Sequence, residues 1–322
     1  MKKQIHLFPH QVQKSNVAVN KIPAGVHLIQ APAWWTKSKG QGIKIAVLDT
    51  GCDSDHPDLQ NRIIGGRNFT DDDRGDEDNF SDYNGHGTHV AGTIAAEENG
   101  RVVGVAPQAE LLIVKVLDRN GSGTYEGIIS GLQYAIEQKV DIISMSLGGP
   151  VDHPQLHTTI QQAVNQGILV VCAAGNEGDS DDKTDEFAYP GSYNEVISVG
   201  AIDLNRRSSD FSNSNNQVDL VAPGESILST YLDGSYATLS GTSMAAPHVS
   251  GALALLKHWG NEAFGRPLTE PELYAQLIKR TVPLGYPLTL EGNGLLYLTA
   301  NEYLETIFSD QVKPLIAQLY LP

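Results

Sequence analysis

The segment Ile43-Lys44-Ile45-Ala46-Val47-Leu48-Asp49-Thr50-Gly51 decides the fold class of this chain. Five of its first six residues are apolar, and such a short, almost continuous apolar run is typical of a strand buried on both faces of a parallel sheet. Asp49 ends the run, and a glycine turn follows. Since ligands gather at the carboxyl ends of strands in open parallel sheets, this carboxylate stands where a functional side chain is expected.

Further apolar runs at 111–116, 140–145 and 168–172 predict three more buried strands. Segments 127–138 and 156–165 lie between them and carry apolar residues at helical spacing. A chain in which strand and helix alternate favours parallel pairing with right-handed crossovers. We therefore expect an α/β fold in which helices cover a mostly parallel β-sheet, built as a single domain.

The composition limits the classes of function. Apolar residues make up 40% of the 322 residues and charged residues 19%, which allows a full core and rules out wholesale disorder. With 22 basic against 38 acidic residues the formal charge is −16, so neither nucleic acid nor an anionic membrane is expected as a partner. The two cysteines, Cys52 and Cys172, are too few for a disulfide scaffold and are expected to be small buried side chains.

The N-terminal sequence and the hydropathy predict a cytoplasmic location. Lys2 and Lys3 begin the chain as in a signal peptide, but no apolar stretch of the required length follows. No window approaches a membrane span.

Local signals predict loops and a helix start. Acidic runs at 71–78 and 177–186 are expected to be solvated loops, with cation binding as the alternative. Thr269-Glu270-Pro271-Glu272 has the form of a capping box at the start of a helix.

Two further segments place a reactive side chain at the edge of a regular element. His86 lies in Asn84-Gly85-His86-Gly87-Thr88-His89, and Ser243 lies in Gly241-Thr242-Ser243-Met244-Ala245. Pro247 places a helix start at about Ser243, where free N–H groups and the helix dipole favour an oxygen that becomes an anion. Taken singly, Asp49, His86 and Ser243 also fit a turn former, a hydrogen-bonded histidine and an ordinary N-cap. Of the two histidines, His89 is assigned the structural role.

The order Asp, His, Ser along a parallel α/β chain is one of the few in which nucleophilic triads occur. Together the three segments resemble the signature blocks of subtilisin-like serine proteases. The likeness continues in Val114-Lys115-Val116-Leu117, Ser144-Met145-Ser146-Leu147-Gly148-Gly149 and Ala173-Ala174-Gly175-Asn176-Glu177, and it covers about residues 20 to 300.

The resemblance implies a broad-specificity serine endopeptidase that acts on proteins and peptides. Ser243 would be the nucleophile, His86 the general base and then acid, and Asp49 the group that orients the imidazole. Asn176 would donate a hydrogen bond to the oxyanion. Two extended segments would flank the substrate, with a further residue at the rim of the main pocket; these positions are Gly121, Ser122, Gly123, Ser146, Leu147, Gly148 and Glu177.

Within the family the chain resembles the intracellular branch. Residues 1–18 would be a short inhibitory extension in place of a folded pro-domain, and residues 19–300 the catalytic domain. Residues 301–322 would be a helical tail that contacts a second subunit in a homodimer, with packing of the tail onto its own core as the alternative. The motif Leu7-Phe8-Pro9-His10 would lie in the cleft as an added strand. Because proline fixes φ and lacks an N–H, the carbonyl beside it is expected to be displaced from Ser243 or badly oriented for attack.

A bound cation is also implied by the resemblance. The backbone carbonyls of Gly191, Tyr193 and Val196 and the carboxylate of Asp219 match a site for Ca²⁺ or, more weakly, Na⁺. The other calcium site of the family is expected to be lost, because Asp58 matches one of its ligands but the loop at 97–103 is shorter than the usual binding loop.

Two other classes of function stay open on the sequence alone. One is a metal-dependent hydrolase that uses Asp53, Asp55, His56, Asp58, His86 and His89. The other is a catalytically silent, peptide-binding relative.

Overall fold

A nine-stranded β-sheet runs through the centre of the protein, whose computed structural model describes residues 4–9, 11–14, 22–179, 181 and 183–301. The strands in chain order are β1 (Gln4–His6), β2 (Gln11–Lys14), β3 (Lys44–Asp49), β4 (Ile63–Asn68), β5 (Glu110–Lys115), β6 (Ser122–Thr124), β7 (Ile142–Met145), β8 (Leu169–Ala173), β9 (Ile197–Ile202), β10 (Val218–Pro223), β11 (Ile227–Tyr231), β12 (Ser235–Ser240), β13 (Thr281–Val282) and β14 (Leu295–Leu296). The helices are α1 (Ala24–Leu28), α2 (Ala31–Trp34), α3 (His86–Ala95), α4 (Tyr125–Glu137), α5 (Pro154–Asn165), α6 (Thr242–Phe264), α7 (Glu270–Ile278) and α8 (Leu288–Glu291).

The central sheet has the strand order β13-β14-β10-β9-β8-β7-β3-β5-β4. Its neighbouring strands are parallel, except that β13 and β14 are antiparallel. The four strands predicted from apolar runs are β3, β5, β7 and β8, which lie side by side. The prediction of a mostly parallel, helix-covered sheet is confirmed. Two small sheets, β1 with β6 and β11-β12-β2, lie outside it.

Two apolar cores lie on opposite faces of the central sheet. Along β3, Val47 belongs to the core that α3 and α6 cover, whereas Ala46 and Leu48 belong to the core that α4 and α5 cover. This alternation explains why the strand is apolar on both faces. Cys52 and Cys172 are buried and free, as predicted.

Helix starts follow the sequence signals closely but not everywhere. The capping box of Thr269 and Glu272 is present at the start of α7. The start predicted for α6 at about Ser243 is one residue late, because the helix begins at Thr242. Pro247 therefore lies inside α6 rather than in its first turn.

The acidic run at 71–78 is not solvated along its whole length. Asp72 is buried, and its carboxylate lies 3.1 Å from Lys115 Nζ and 3.0 Å from Arg119 Nε. Burial alone would raise the pKa of the Asp72 carboxyl, but hydrogen bonds from Arg119 and Lys115 hold it below its usual range. The prediction of a solvated loop is wrong for this residue, because its carboxylate pairs with two cationic side chains of the protein, of which Lys115 is buried.

None of the helices in the described ranges combines the length and the apolar character that crossing a bilayer requires.

Candidate active site

The carboxyl end of β3 brings Asp49 directly against His86. Asp49 Oδ1 lies 2.7 Å from His86 Nδ1, and both side chains are fully buried. The same carboxylate oxygen accepts a hydrogen bond of 2.8 Å from the backbone N–H of Thr50. Since a carboxylate only accepts, a neutral His86 carries its proton on Nδ1, and the basic lone pair of the ring is then on Nε2.

The start of α3 fixes the position of His86. Gly85, immediately before the helix, has φ of 101°, a left-handed value that glycine adopts without strain. The helix packs against α6, whose first turn carries Ser243. The two helices thereby bring the histidine and the serine, far apart in sequence, to the same side of the sheet.

Ser243 is tied to the segment that follows β7. Its Oγ donates a hydrogen bond of 3.2 Å to the carbonyl oxygen of Ser146. In return, Ser146 Oγ donates one of 2.9 Å to the carbonyl oxygen of Ser243. Pro247 lacks the N–H that would normally reach this carbonyl four residues earlier in a helix, and the Ser146 hydroxyl takes its place. The nucleophile candidate is thus held by side-chain and backbone contacts to one substrate-binding segment.

Asn176 is held with its amide nitrogen turned outward. Its Oδ1 accepts hydrogen bonds from the backbone N–H of Thr242 at 2.9 Å and from its hydroxyl at 2.7 Å. The Nδ2 group donates a hydrogen bond of 2.7 Å to the carbonyl oxygen of Pro9. This arrangement presents an N–H donor to a peptide carbonyl beside the start of α6, as an oxyanion donor requires.

The predicted substrate-binding segments form the two edges of a cleft, and residues 4–7 lie between them. β1 pairs antiparallel with β6, with Ile5 opposite Gly123 and His6 opposite Ser122. The backbone N–H of Leu7 donates to the carbonyl oxygen of Gly121 at 2.8 Å. On the other edge, His6 and Gly148 exchange backbone hydrogen bonds of 3.1 and 3.2 Å. The segment is bonded to both edges, as an added strand would be.

The predicted inhibitory motif begins at Leu7, so the added strand lies just before the motif that is predicted to form it. Leu7 is half-buried, whereas Phe8 is only 3% exposed and packs where Gly148 has no side chain: a Cβ there would lie 2.4 Å from the Phe8 ring. Pro9 is exposed. His10 lies outside the described residues, as do residues 302–322 of the predicted tail.

Glu177, predicted at the pocket rim, turns its carboxylate back toward its neighbour. Glu177 Oε2 accepts a hydrogen bond of 3.0 Å from the backbone N–H of Asn176, and its own N–H donates to Asn213 Oδ1 at 2.7 Å. A negative charge therefore stands beside the amide that reaches Pro9.

Three of the four predicted cation ligands share a pocket of about 480 Å³. Tyr193, Val196 and Asp219 line it, and Gly191 is not among its lining residues. The Asp219 carboxylate accepts hydrogen bonds from the backbone N–H of Ser198 at 2.8 Å and from the hydroxyl of Tyr274 at 2.6 Å. Burial raises the pKa of the Asp219 carboxyl.

The residues of the alternative metallohydrolase do not converge. His89 Nε2 lies 2.9 Å from the carbonyl oxygen of Ile227, the hydrogen-bonded structural role predicted for it. His56 Nε2 lies 3.0 Å from the carbonyl oxygen of Ser235. Within the described ranges no three His, Cys, Asp or Glu side chains are grouped to hold a metal ion.

Asp58 has its own set of donors. One carboxylate oxygen accepts hydrogen bonds from the N–H groups of Arg101 and Val102, at 2.9 and 3.1 Å, and from the hydroxyl of Tyr236 at 2.9 Å. The short loop thus supplies N–H groups where a calcium-binding loop would present oxygens.

Sequence reasoning missed two supporting residues. Thr242 fixes the amide of Asn176, although the two residues are 66 positions apart. The hydroxyl of Ser146 completes the backbone bonding of Ser243, whereas the sequence assigned that position only a substrate contact. A proline four residues after a helical serine was the available signal, since it leaves that serine's carbonyl without its usual donor.

The chain is similar in sequence to a known protein family and to several of its members. The model of the subtilase family matches residues 40–300. "Intracellular serine protease" of Paenibacillus polymyxa is 68% identical over 312 residues, which are 97% of this chain and 96% of that protein. "Major intracellular serine protease" of Bacillus subtilis strain 168 is 61% identical over 307 residues, 94% of this chain and 96% of that protein. "Subtilisin E" of the same organism is 45% identical over 259 residues, 78% of this chain and 66% of that protein.

Proposed function

The chain belongs to the subtilase family and is a serine endopeptidase, and from that premise we propose that Asp49, His86 and Ser243 are its catalytic triad. The observation that carries the proposal is the buried contact of 2.7 Å between Asp49 Oδ1 and His86 Nδ1, with the first turn of α6 presenting Ser243 on the same side of the sheet.

The chemistry follows from the proton positions. Ser243 Oγ attacks the peptide carbonyl carbon while His86 Nε2 takes its proton, and Asp49 stabilises the imidazolium that forms. His86 then gives that proton to the leaving amine as the carbon–nitrogen bond breaks, which leaves an acyl-enzyme. Water, deprotonated by the same histidine, hydrolyses the ester and restores the serine.

Asn176 Nδ2 and the backbone N–H of Ser243 stabilise the oxyanion. The hydrogen bond that Asn176 donates to the carbonyl oxygen of Pro9 supports this role, because a peptide carbonyl is the group that becomes the oxyanion. The two bonds from Thr242 hold the amide in place before a substrate arrives, so little reorganisation is needed during the reaction.

The substrate is an extended peptide that takes the place of β1 between the two cleft edges. Backbone bonding to residues 121–123 and 146–148 depends little on side chains, which favours broad specificity. An apolar or large side chain is preferred in the main pocket, and Glu177 at the rim admits some basic ones.

Residues 1–18 restrain the enzyme as a precursor. Their described part occupies the cleft, with backbone bonds to both edges and the buried ring of Phe8. The sequence predicts that the proline either displaces the neighbouring carbonyl from Ser243 or orients it badly for attack. Because the carbonyl of Pro9 stays within hydrogen-bond distance of Asn176, we propose poor orientation as the effect of the proline. A tethered segment needs little intrinsic affinity, because effective concentrations for short linkers are on the order of millimolar.

A calcium ion is the proposed structural cofactor, with Na⁺ as a weaker substitute. The donor set is all oxygen, and each oxygen of Asp219 that accepts one hydrogen bond keeps a lone pair for a cation. The carbonyls of Tyr193 and Val196, which line the same pocket, and that of Gly191 would complete the set. The ion would stiffen the loop before β9.

The enzyme works inside the cell, as two of the relatives compared above do according to their names, "Intracellular serine protease" and "Major intracellular serine protease". It acts as a homodimer through residues 301–322, which carry more apolar side chains than a solvent-exposed terminal segment requires. Nucleic acid and membranes are not partners, given the charge of −16. Light scattering should give a dimer at micromolar protein; a monomer would contradict this assembly.

A serine-reactive phosphonate tests the proposed function. Mass spectrometry of the digested adduct should place the label on Ser243, and labelling should abolish peptide hydrolysis. Turnover should survive a zinc-selective chelator in buffer that contains calcium. Loss of turnover in the chelator would favour a metallohydrolase, and the absence of both labelling and turnover would favour a silent peptide-binding relative.

A further inference from the structure

Asp82, in the loop that precedes α3, is a buried carboxylate that the triad chemistry does not use. It is 7% exposed and accepts five hydrogen bonds. Its Oδ1 receives the Thr50 hydroxyl and the backbone N–H groups of Asn84 and Gly85, each at 2.9 Å. Its Oδ2 receives the backbone N–H of Thr88 at 2.9 Å and the hydroxyl of the same residue at 2.7 Å.

These bonds connect the end of β3 with the start of α3. Thr50, the neighbour of Asp49, also accepts a hydrogen bond of 2.9 Å on its hydroxyl from the backbone N–H of Gly87. The bonds to Gly85 and Thr88 lie on either side of His86. A single carboxylate therefore holds the residue next to Asp49 and both flanks of His86.

The two backbones are in direct contact at this point. A Cβ on Gly87 would lie 2.1 Å from the carbonyl oxygen of Gly51, so there is no room for a side chain between the strand end and the helix start. This contact fixes how closely the two segments approach but does not by itself prevent them from sliding along each other. The bond from the Gly87 N–H to the Thr50 hydroxyl resists such sliding, and the carboxylate of Asp82 adds bonds to both segments.

We propose that Asp82 is a positioning residue for peptide hydrolysis, which sets the distance and alignment of Asp49 and His86 through the Thr50 hydroxyl and the first turn of α3. The inference rests on the proposed triad. Asp82 touches neither substrate nor reacting atoms in this account. Its effect is confined to the rate of the chemical step, because the cleft edges at 121–123 and 146–148 are not among its partners.

Asp82→Asn is the first test. The asparagine side chain has one oxygen and one NH₂ group in place of the two carboxylate oxygens. On one side its NH₂ group must therefore face hydrogen-bond donors that have lost their acceptor. Misplacement of the triad should lower kcat by about 10- to 100-fold with KM within about twofold of wild type. Active-site titration with the phosphonate corrects for any inactive fraction.

Thr50 provides a pair of variants that keeps the proposal testable if Asp82→Asn does not fold. Its carbonyl oxygen accepts a hydrogen bond of 2.6 Å from Lys115 Nζ, so the backbone stays anchored when the side chain changes. Thr50→Val removes the hydroxyl and should lower kcat with KM unchanged, whereas Thr50→Ser keeps the hydroxyl and should retain near wild-type kcat. The Asp82→Asn/Thr50→Val double variant should lose less than the product of the single losses.

Asp141→Asn is the matched control, because Asp141 holds the other end of the same strand. It accepts a hydrogen bond of 2.8 Å from the backbone N–H of Lys44 and pairs with Lys257 at 2.8 Å. This variant should lower the unfolding temperature and leave kcat unchanged.

The inference would be overturned if kcat stayed within about twofold of wild type in Thr50→Val or in a folded Asp82→Asn. It would also be overturned if Thr50→Ser lost as much kcat as Thr50→Val. If wild-type turnover does not depend on Ser243, the proposed function itself fails, and the two failures are thereby distinguished.

Discussion

The side-chain nitrogen of Asn176 lies 2.7 Å from the carbonyl oxygen of Pro9 and donates a hydrogen bond to it. In the proposed mechanism, a residue near the N-terminus of the chain thus occupies the donor assigned to the oxyanion. Substrate and N-terminal segment would then compete for one amide, which would couple restraint and catalysis at a single side chain.

Removal of the N-terminal segment should therefore release activity. A form that begins near Val17 lacks β1 and the carbonyl of Pro9, which leaves both cleft edges and Asn176 open to substrate. Peptide hydrolysis by the two forms is compared at equal titrated active sites. Equal rates would contradict the inhibitory role. A Pro9→Ala version of the full chain should be cut faster within the segment, and unchanged inhibition without such cleavage would refute only the part assigned to the proline.

Loss of the amide at Asn176 should slow the chemical step. Asn176→Ala removes one of two oxyanion donors, and such losses raise the barrier by about 2.7–4 kcal/mol, or roughly 100- to 1000-fold in kcat. Thr242→Val removes one of the two bonds that hold the amide and should give a smaller loss. Steady-state kinetics on the shortened form checks both, and a loss confined to KM would show that Asn176 binds the substrate without stabilising the transition state.

His248, inside α6, should make the fold sensitive to acid. Burial lowers the pKa of this histidine to about 4, while its Nδ1 lies 2.8 Å from the carbonyl oxygen of Met244. The unfolded chain takes up this proton near pH 6.5 and the folded protein only near pH 4, so stability is lost as the pH falls between these values. The loss amounts to about 3 kcal/mol.

Urea unfolding at several pH values measures this effect. His248→Gln keeps an N–H donor for Met244 but does not titrate, so its free energy of unfolding should fall less than that of the wild type between pH 7 and pH 4. Parallel curves for the two proteins would contradict the assignment.

Calcium binding should depend on Asp219. Calorimetry of the wild type should show one calcium site, and Asp219→Asn should weaken it because a carboxylate is the preferred ligand of a hard cation. Asp58→Asn is the matched control and should leave calcium binding unchanged, since the Asp58 carboxylate is held by loop N–H groups and the Tyr236 hydroxyl. Two tight sites in the wild type, or unchanged binding in Asp219→Asn, would refute the cation proposal.

The sequence predicts four neighbouring strands of the central sheet because a strand buried on both faces is a nearly continuous apolar run, as β8 is and as β3 is from Ile45 to Leu48. It also predicts Asp49, His86 and Ser243 as candidates for the chemistry from their order along the chain, and the structure brings the first two into contact. It does not predict the burial of Asp72, because the run of acidic residues around it looks solvated and its partner Arg119 is 47 positions away. Nor does it predict the tie that Thr242 provides to Asn176. Such contacts depend on how distant loops meet, which local patterns do not encode.

Ser243→Ala tests the central claim most directly. The variant should fold as the wild type does and lose more than about a thousandfold in kcat/KM for a peptide substrate, since removing a triad member has that effect in related mechanisms. Ser250→Ala is the control: this serine is buried on the same helix, where its hydroxyl donates to Ser144 Oγ at 2.9 Å, and its loss should leave kcat/KM unchanged. The measurement is kcat/KM of both variants, in the form that begins near Val17, against the same form of the wild type. A folded Ser243→Ala that retains more than about a thousandth of wild-type turnover would contradict the assignment of the nucleophile.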